Sequence, residues 1–391
     1  MNFRILLKYT SLLALLAITA IMSACAREQP EQEAAPLPQQ EPLPLLQQPT
    51  VPYEIELYVA GINFPTRMAW APDGRLFVTE KGGAVRVISA DGVLQPDPVI
   101  ELPTNAEGEQ GLLGIAIDPN FEENHYIWVY HTWSDPNHER ERPWHRVVRF
   151  VEQDGVGSDP RVAWEMEDAF PESTILNGGE VKFGPDGMLY VSPGSTNNIL
   201  SVVDRNAPQG KIHRMTPTIP AQPAPDNPNP DSTIWAYGFR NTYAFAFHPE
   251  TGIMYGTENG PDCDDEINRI LPGLDYGWRQ DGLCEDNNLP PDYPERFEPP
   301  VLYYTPPISP TGIMFYTGDV FPEWRNYMFF CAYNLGRMYY VDLADDGISI
   351  ETSGSVNTGY ARCAVHISTG PDGNIYFTDL NAIYRVVRTG E

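Results

Sequence analysis

The chain has 391 residues, with 53 acidic against 25 basic side chains and a formal net charge of −28. That excess repels a phosphate backbone and argues against nucleic acid as a partner. With 39 prolines and 32 glycines and no long segment of 3.6-residue apolar period, a helical protein is excluded as well.

Residues 1–24 read as an export signal. Arg4 and Lys8 give a positive start, and residues 11–21 form an apolar run too short for a spanning helix. The run closes on Met22-Ser23-Ala24-Cys25, small residues directly before a cysteine. This pattern predicts cleavage before Cys25 and its lipidation, so the chain is expected to be exported and lipid-anchored to the cell envelope. The anchor would hold it on the outer membrane facing the periplasm, or on the outer face of the cell membrane. Residues 25–52 are rich in Pro, Gln and Glu and bury too little apolar surface to fold, which predicts a disordered tether.

Residues 53–391 carry an internal repeat. Ala71-Pro72-Asp73-Gly74, Gly184-Pro185-Asp186-Gly187 and Gly370-Pro371-Asp372-Gly373 each run into β-branched and aromatic residues. Looser copies start at His248-Pro249, Asp118-Pro119 and Phe321-Pro322. Proline presets one φ angle, aspartate bonds the backbone and glycine takes positive φ, so each copy is a tight turn inside a hairpin. Six such copies predict an all-β, six-bladed β-propeller, with functional sites at the mouth of its channel.

Cys25 aside, the cysteines are Cys263, Cys284, Cys331 and Cys363. An even number in an exported chain predicts two disulfides, for which three pairings exist. Cys263–Cys284, closing one loop, and Cys331–Cys363, joining neighbouring blades, are the expected pairs.

Longer stretches carry a resemblance. They include Gly108-Glu109-Gln110-Gly111-Leu112-Leu113-Gly114, Asn177-Gly178-Gly179-Glu180 and Tyr237-Gly238-Phe239-Arg240-Asn241. Glu258-Asn259-Gly260-Pro261 and Gly273-Leu274-Asp275-Tyr276-Gly277-Trp278 follow in order. Together they resemble the glucose/sorbosone dehydrogenase family, soluble sugar dehydrogenases that use pyrroloquinoline quinone (PQQ). The resemblance implies oxidation of aldoses by hydride transfer to a calcium-bound quinone. It places Arg240 and Asn241 against the quinone carbonyls as catalytic and cofactor-binding residues, with Glu109 also at the cofactor. It assigns calcium to the backbone of Gly260 and Pro261, and a structural calcium to Glu266 and the Tyr276 carbonyl. A hard cation of this kind takes oxygen ligands.

The sequence departs from the family at several positions. The general base, a histidine in the family, falls on Leu176. Cationic residues that grip the quinone carboxylates fall on Asn334, Cys363 and Val365, and a threonine and tryptophan of the pocket fall on Pro307 and Thr305. Glu180 is a candidate acid–base residue in place of the missing histidine, and His366 stands where the family has an aspartate beside the quinone. Two functions are therefore open: a PQQ-dependent sugar dehydrogenase with electrons passed to a further acceptor, or a non-catalytic calcium-binding propeller that takes a carbohydrate or protein ligand.

Overall fold

The computed structural model describes residues 51–134, 144–167, 173–278 and 298–390. The expected signal, Cys25, most of the tether and Cys284 lie outside the described residues.

Strand β1 (Tyr53–Ala60) is followed by five consecutive four-stranded antiparallel sheets and a sixth that borrows it. Blade 1 is β2 (Pro65–Trp70), β3 (Leu76–Glu80), β4 (Ala84–Ile88) and β5 (Ile100–Glu101). Blade 2 is β6 (Leu112–Ile117), β7 (Tyr126–Trp133), β8 (Trp144–Gln153) and β9 (Val156–Glu167). Blade 3 is β10 (Glu180–Phe183), β11 (Leu189–Ser192), β12 (Lys211–Met215) and β13 (Ile234–Tyr237). Blade 4 is β14 (Thr242–Phe247), β15 (Met254–Glu258), β16 (Asp265–Ile270) and β17 (Leu302–Tyr304). Blade 5 is β18 (Pro310–Phe315), β19 (Met328–Ala332), β20 (Arg337–Leu343) and β21 (Ile350–Val356). Blade 6 is β22 (Ile367–Thr369), β23 (Ile375–Thr378) and β24 (Ala382–Arg388), completed by β1. β1 pairs antiparallel with β24, from Tyr53 opposite Arg388 to Ala60 opposite Ala382, and this closes the ring.

Every repeat copy is the turn between the first and second strand of its blade. In the three Pro-Asp-Gly copies the glycine amide closes the turn, as in Gly187 N to Gly184 O at 3.0 Å, with the glycine at positive φ. The aspartate accepts from the amide two residues on, Asp186 from Met188 and Asp372 from Asn374. Each also accepts a tyrosine hydroxyl from the following strand, Tyr190 and Tyr376 respectively.

The core is divided into slabs between blades. Phe77 and Val85 of blade 1 pack on Ile115 and Ile127 of blade 2. Trp128 and Val147 of blade 2 pack on Val181 and Leu189 of blade 3. Tyr190 and Ile212 then meet Phe245 and Met254 of blade 4, and Tyr255 and Ile267 meet Ile313 and Phe330 of blade 5. Phe329 and Met338 meet Ile375 and Phe377 of blade 6, while Tyr376 and Ile383 return to Met68 and Leu76 of blade 1. Strand alternation explains the pattern, since neighbouring residues such as Leu189 and Tyr190 face opposite slabs. Each large side chain buried this way contributes roughly 1.5–3 kcal/mol. The first strands of all six blades touch in sequence around the ring, β2 to β6 to β10 to β14 to β18 to β22 and back to β2, so they line the axis.

The expected Cys331–Cys363 disulfide is present and buried, with Cα atoms 5.0 Å apart. It fastens β19 of blade 5 to the segment entering blade 6. Cys263 is buried and disulfide-bonded.

Candidate active site

The axial channel is divided in two. The first half of each inner strand, or the one or two residues before it, lines a cavity of about 380 Å³, through Thr66, Leu113, Gly178, Asn241, Thr311 and Val365. The later residues of the same strands line a separate cavity at the far end. Arg67 separates them. Its side chain is fully buried and stacked on the Tyr243 ring at 4.5 Å. It donates to the carbonyls of Thr66 and Tyr243 at 2.9 and 2.6 Å and to Glu180 at 3.3 Å.

Arg240 and Asn241 sit on the link from β13 to β14, at the first cavity. Gly238 makes this link possible: its φ is +87°, and a Cβ there would lie 2.1 Å from Asp275 Oδ1. Glu258, at the end of β15, anchors the pair. Its carboxylate accepts the amides of Arg240 and Asn241 at 2.7 and 2.6 Å and the Thr242 hydroxyl at 2.7 Å. Burial pushes Glu258 up to about 7, against the pull of these donors.

The Arg240 guanidinium donates through Nη1 to the carbonyls of Asn259 and Gly260, at 2.8 and 2.9 Å. Asn241 accepts the Gly178 amide at 2.9 Å and donates to Asn259 Oδ1 at 3.1 Å, tying blade 3 to blade 4. Gly260 leaves no room for a side chain, since a Cβ would lie 1.9 Å from the Cys263 carbonyl. Its amide donates to Asp265, whose other oxygen accepts the amides of Ile308 and Ser309. The Gly260-Pro261 turn is thus clamped to the entry of blade 5.

On the opposite wall Glu109 Oε2 accepts the Leu176 amide at 2.6 Å. Leu176 is buried and held at φ +64°, with its side chain against the cavity. Lys81 donates to the Ala106 carbonyl at 2.6 Å and lies over the Phe64 ring. Burial pushes its ammonium below the usual lysine range, and the Glu109 charge pulls the other way. Arg240 is likewise lowered by burial, against the pull of Glu258 and Glu109.

Glu266, in β16, is partly buried and pushed up to about 8 by burial and by the charges of Glu258, Asp264 and Asp265; Asn268 donates to it. Tyr276 stacks on Phe239 at 4.7 Å, and its hydroxyl donates to the Arg269 carbonyl. Among the described residues no group of three or more His, Cys, Asp or Glu side chains is arranged to hold a metal.

The family model described as Glucose / Sorbosone dehydrogenase matches residues 62–388. The chain belongs to the glucose/sorbosone dehydrogenase family. An uncharacterised protein of Synechocystis is 30% identical over 351 residues, covering 83% of each chain. The aldose sugar dehydrogenase YliI of Escherichia coli is 26% identical, over 82% of this chain and 88% of its own. The PQQ-bound aldose sugar dehydrogenase of Streptomyces coelicolor superposes with a TM-score of 0.71 at 25% identity, over 87% of this chain and 99% of that one.

Within this glucose/sorbosone dehydrogenase fold the motif residues converge: Glu109, Leu176, Arg240, Asn241, Gly260 and Pro261 line one cavity. The positions of the expected cationic grip do not supply one. Asn334 is exposed, with its amide 3.5 Å from the Pro307 carbonyl, Cys363 is in the disulfide, and Val365 presents an apolar wall. Thr305 is exposed and bonds Asp264. Two expectations change. Glu180 lies beyond Arg67, ion-paired to it and lining the far cavity, so it is no acid–base group for this site. His366 also lines the far cavity, because the neighbouring Val365 takes the wall position here.

Sequence reasoning does not single out Lys81, Tyr243 or Glu258. Glu258 stands in a quoted motif, but its anchoring of Arg240 depends on β14 and β15 being paired. Lys81 and Tyr243 carry no local signal; only the closed ring brings them to the same cavity.

Proposed function

We propose that this cavity is the active site of an aldose dehydrogenase, in which a sugar gives up hydride to a bound quinone. The observation that carries the reading is the convergence of Arg240, Asn241 and the Gly260-Pro261 turn on one cavity of about 380 Å³, within the usual size of a small-molecule site. Related proteins named as sugar dehydrogenases, one with PQQ bound, support it.

The donor set suits a polar anionic ligand at one end: Arg240 and Lys81 supply two cations against the Glu109 carboxylate. When bound there, PQQ supplies the two-electron acceptor for the hydride. Arg240 directs N–H groups at a ligand carbonyl and stabilises charge that builds on it. Asn241 and Glu258 keep that guanidinium in place. Glu109, fixed through Oε2 by the Leu176 amide, is the group positioned to accept the sugar hydroxyl proton on Oε1, the role the family gives to histidine. Calcium belongs to the same proposal, on the carbonyls of Gly260 and Pro261 and at Glu266 with the Tyr276 carbonyl. Gly260 O already accepts from Arg240, so the ion and the guanidinium would share that oxygen. A cation beside Glu266 would offset the burial and the neighbouring carboxylates that raise its pKa.

A second reading, a non-catalytic binder of a carbohydrate or protein, is favoured by one observation: Asn334, Cys363 and Val365 offer no cation to the cofactor's carboxylates. One experiment separates the two. Calcium and PQQ are added to the purified protein, and dye reduction is followed with a panel of aldoses. The dehydrogenase reading expects turnover and a changed quinone spectrum, abolished by Arg240→Ala. Neither signal, together with saturable sugar binding by calorimetry, would establish the binder instead. Leu176→His alone is expected to add no activity if Glu109 is the base.

Export and lipid anchoring through Cys25 are part of the proposal. Labelled palmitate should be incorporated by the wild type and not by Cys25→Ser.

A further inference from the structure

The far cavity holds about 470 Å³ and is lined by the later residues of the inner strands, beginning in blades 3 and 6 at Glu180 and His366. Its lining is mixed: Met68, Ile115, Phe183, Phe247 and Phe315 stand beside Thr317, His366 and Ser368. The charged groups of its lining are Lys182 and Glu180, and the buried Arg67 is ion-paired to Glu180 behind them.

The balance of these groups is unusual for this chain. Arg67 and Lys182 are basic and Glu180 is acidic; burial pushes the Lys182 ammonium below the usual lysine range while Glu180 pulls it back, and burial with the two neighbouring basic groups lowers the buried His366. Two basic side chains thus meet one carboxylate at this end, inside a protein of formal charge −28. Arg67 satisfies the Glu180 carboxylate at 3.3 Å, whereas Lys182 is 3.9 Å from it. The Lys182 ammonium donates to the Phe245 carbonyl at 2.9 Å and keeps a third of its side chain open. Two further polar atoms of lining residues, His366 Nδ1 and Ser368 Oγ of blade 6, are buried with no hydrogen-bond partner in the structure.

We propose that this cavity is a second binding site, taking a small monocarboxylate with an apolar body: the carboxylate on Lys182, the hydrocarbon or ring between Met68, Phe183, Phe247 and Phe315. The Glu180 oxygen nearest Lys182 is shared with Arg67, so this partly open ammonium gains from a carboxylate of its own. A second carboxylate on the ligand would meet Glu180, so a single charge fits this end better than two. The proposal does not depend on the dehydrogenase reading, because Arg67 and Tyr243 stand between the two cavities.

The test uses the mature protein with hexanoate and benzoate as probes, and hexan-1-ol and benzyl alcohol as uncharged controls. Calorimetry should show saturable one-site binding of the acids, and about tenfold or weaker binding of the alcohols, a difference of about 1.4 kcal/mol. Lys182→Met should reduce acid binding about tenfold or more, Lys182→Arg should retain it, and Arg240→Gln should leave it unchanged. Circular dichroism and thermal melting confirm that each variant is folded. No saturable binding, equal affinity for acid and alcohol, or loss in Arg240→Gln but not in Lys182→Met would each overturn the proposal. A crystal soaked with 4-bromobenzoate should place bromine between the apolar walls; bromine in the Arg240 cavity alone would also overturn it.

Discussion

Glu258 is the residue on which the candidate site most depends. It satisfies three donors at once, two of them the amides that set the direction of Arg240 and Asn241. Glu258→Ala would leave all three buried donors without a partner, and is expected to cost about 3–5 kcal/mol. Chemical denaturation measures that loss. Glu258→Gln keeps the shape and one strong acceptor, so its loss should be smaller, about 1–3 kcal/mol. If Glu258→Ala proved as stable as the wild type, the anchoring role of Glu258 would be wrong. The Leu176 position is a different case. Its left-handed backbone is imposed by the Glu109 and Thr196 contacts on either side of the peptide, and nothing in the residue's own preference predicts it.

At the level of the blade, two glycines of different kinds separate backbone conformation from packing. Gly187 closes the repeat turn at φ +74°, and a Cβ added there would meet nothing within 4 Å, so Gly187→Ala adds only left-handed strain, about 1 kcal/mol. Gly114, inside β6, has an ordinary φ, but a Cβ there would lie 2.3 Å from the Gly179 carbonyl of blade 3. Gly114→Ala must therefore push two blades apart, and should cost several times more, about 3 kcal/mol or above. Melting the two variants side by side tests this; equal losses would contradict the packing argument. The repeat turns are legible from sequence because Pro, Asp and Gly act locally. Gly114 is visible there only as a letter in a motif, since the atom it avoids belongs to another blade.

For the whole molecule, ring closure makes stability cooperative. The Cys331–Cys363 disulfide joins blade 5 to the entry of blade 6 across a separation of 32 residues. Replacing both cysteines with alanine is expected to cost about 3–4 kcal/mol by relaxing the unfolded chain. A denaturation midpoint unchanged by the double substitution would refute that. The buried histidines set the acid limit. His131 is depressed to about 3 by burial and by Arg146 and His145, and His213 to about 4 by burial. His366 is lowered by burial too. Their folded values lie below the unfolded 6.5, so their contribution is complete above that pH and is lost as pH falls, by about 1.4 kcal/mol per pH unit for each. Glu258 and Glu266 act oppositely: raised to about 7 and about 8, they contribute most below the unfolded 4.5 and lose it as pH rises. Three histidines outweigh two carboxylates below pH 6.5, and above it the carboxylates act alone. Stability measured with a chelator present should therefore peak near about pH 6.5 and fall at about pH 5 and 8. Added calcium should flatten the basic arm if it binds at Glu266.

Local chemistry is enough to specify the strands, the repeat turns, the number of blades and the family, because turn residues and side-chain alternation act over a few positions and recur in every blade. The same holds for Arg240, Asn241, Gly260 and Pro261, which lie in contiguous motifs. The Cys331–Cys363 pair follows from its residues falling in neighbouring repeats. Which side of Arg67 a residue faces is settled in three dimensions alone. Glu180 and His366 stand beside motif residues in sequence and yet open on the far cavity, because an inner strand passes from one end of the channel to the other within six residues or fewer. One step along such a strand changes the wall, and a few steps change the cavity. Lys81, Glu258 and the basic Lys182 end of the far cavity exist as sites only when six separate blades bring their first strands around one axis.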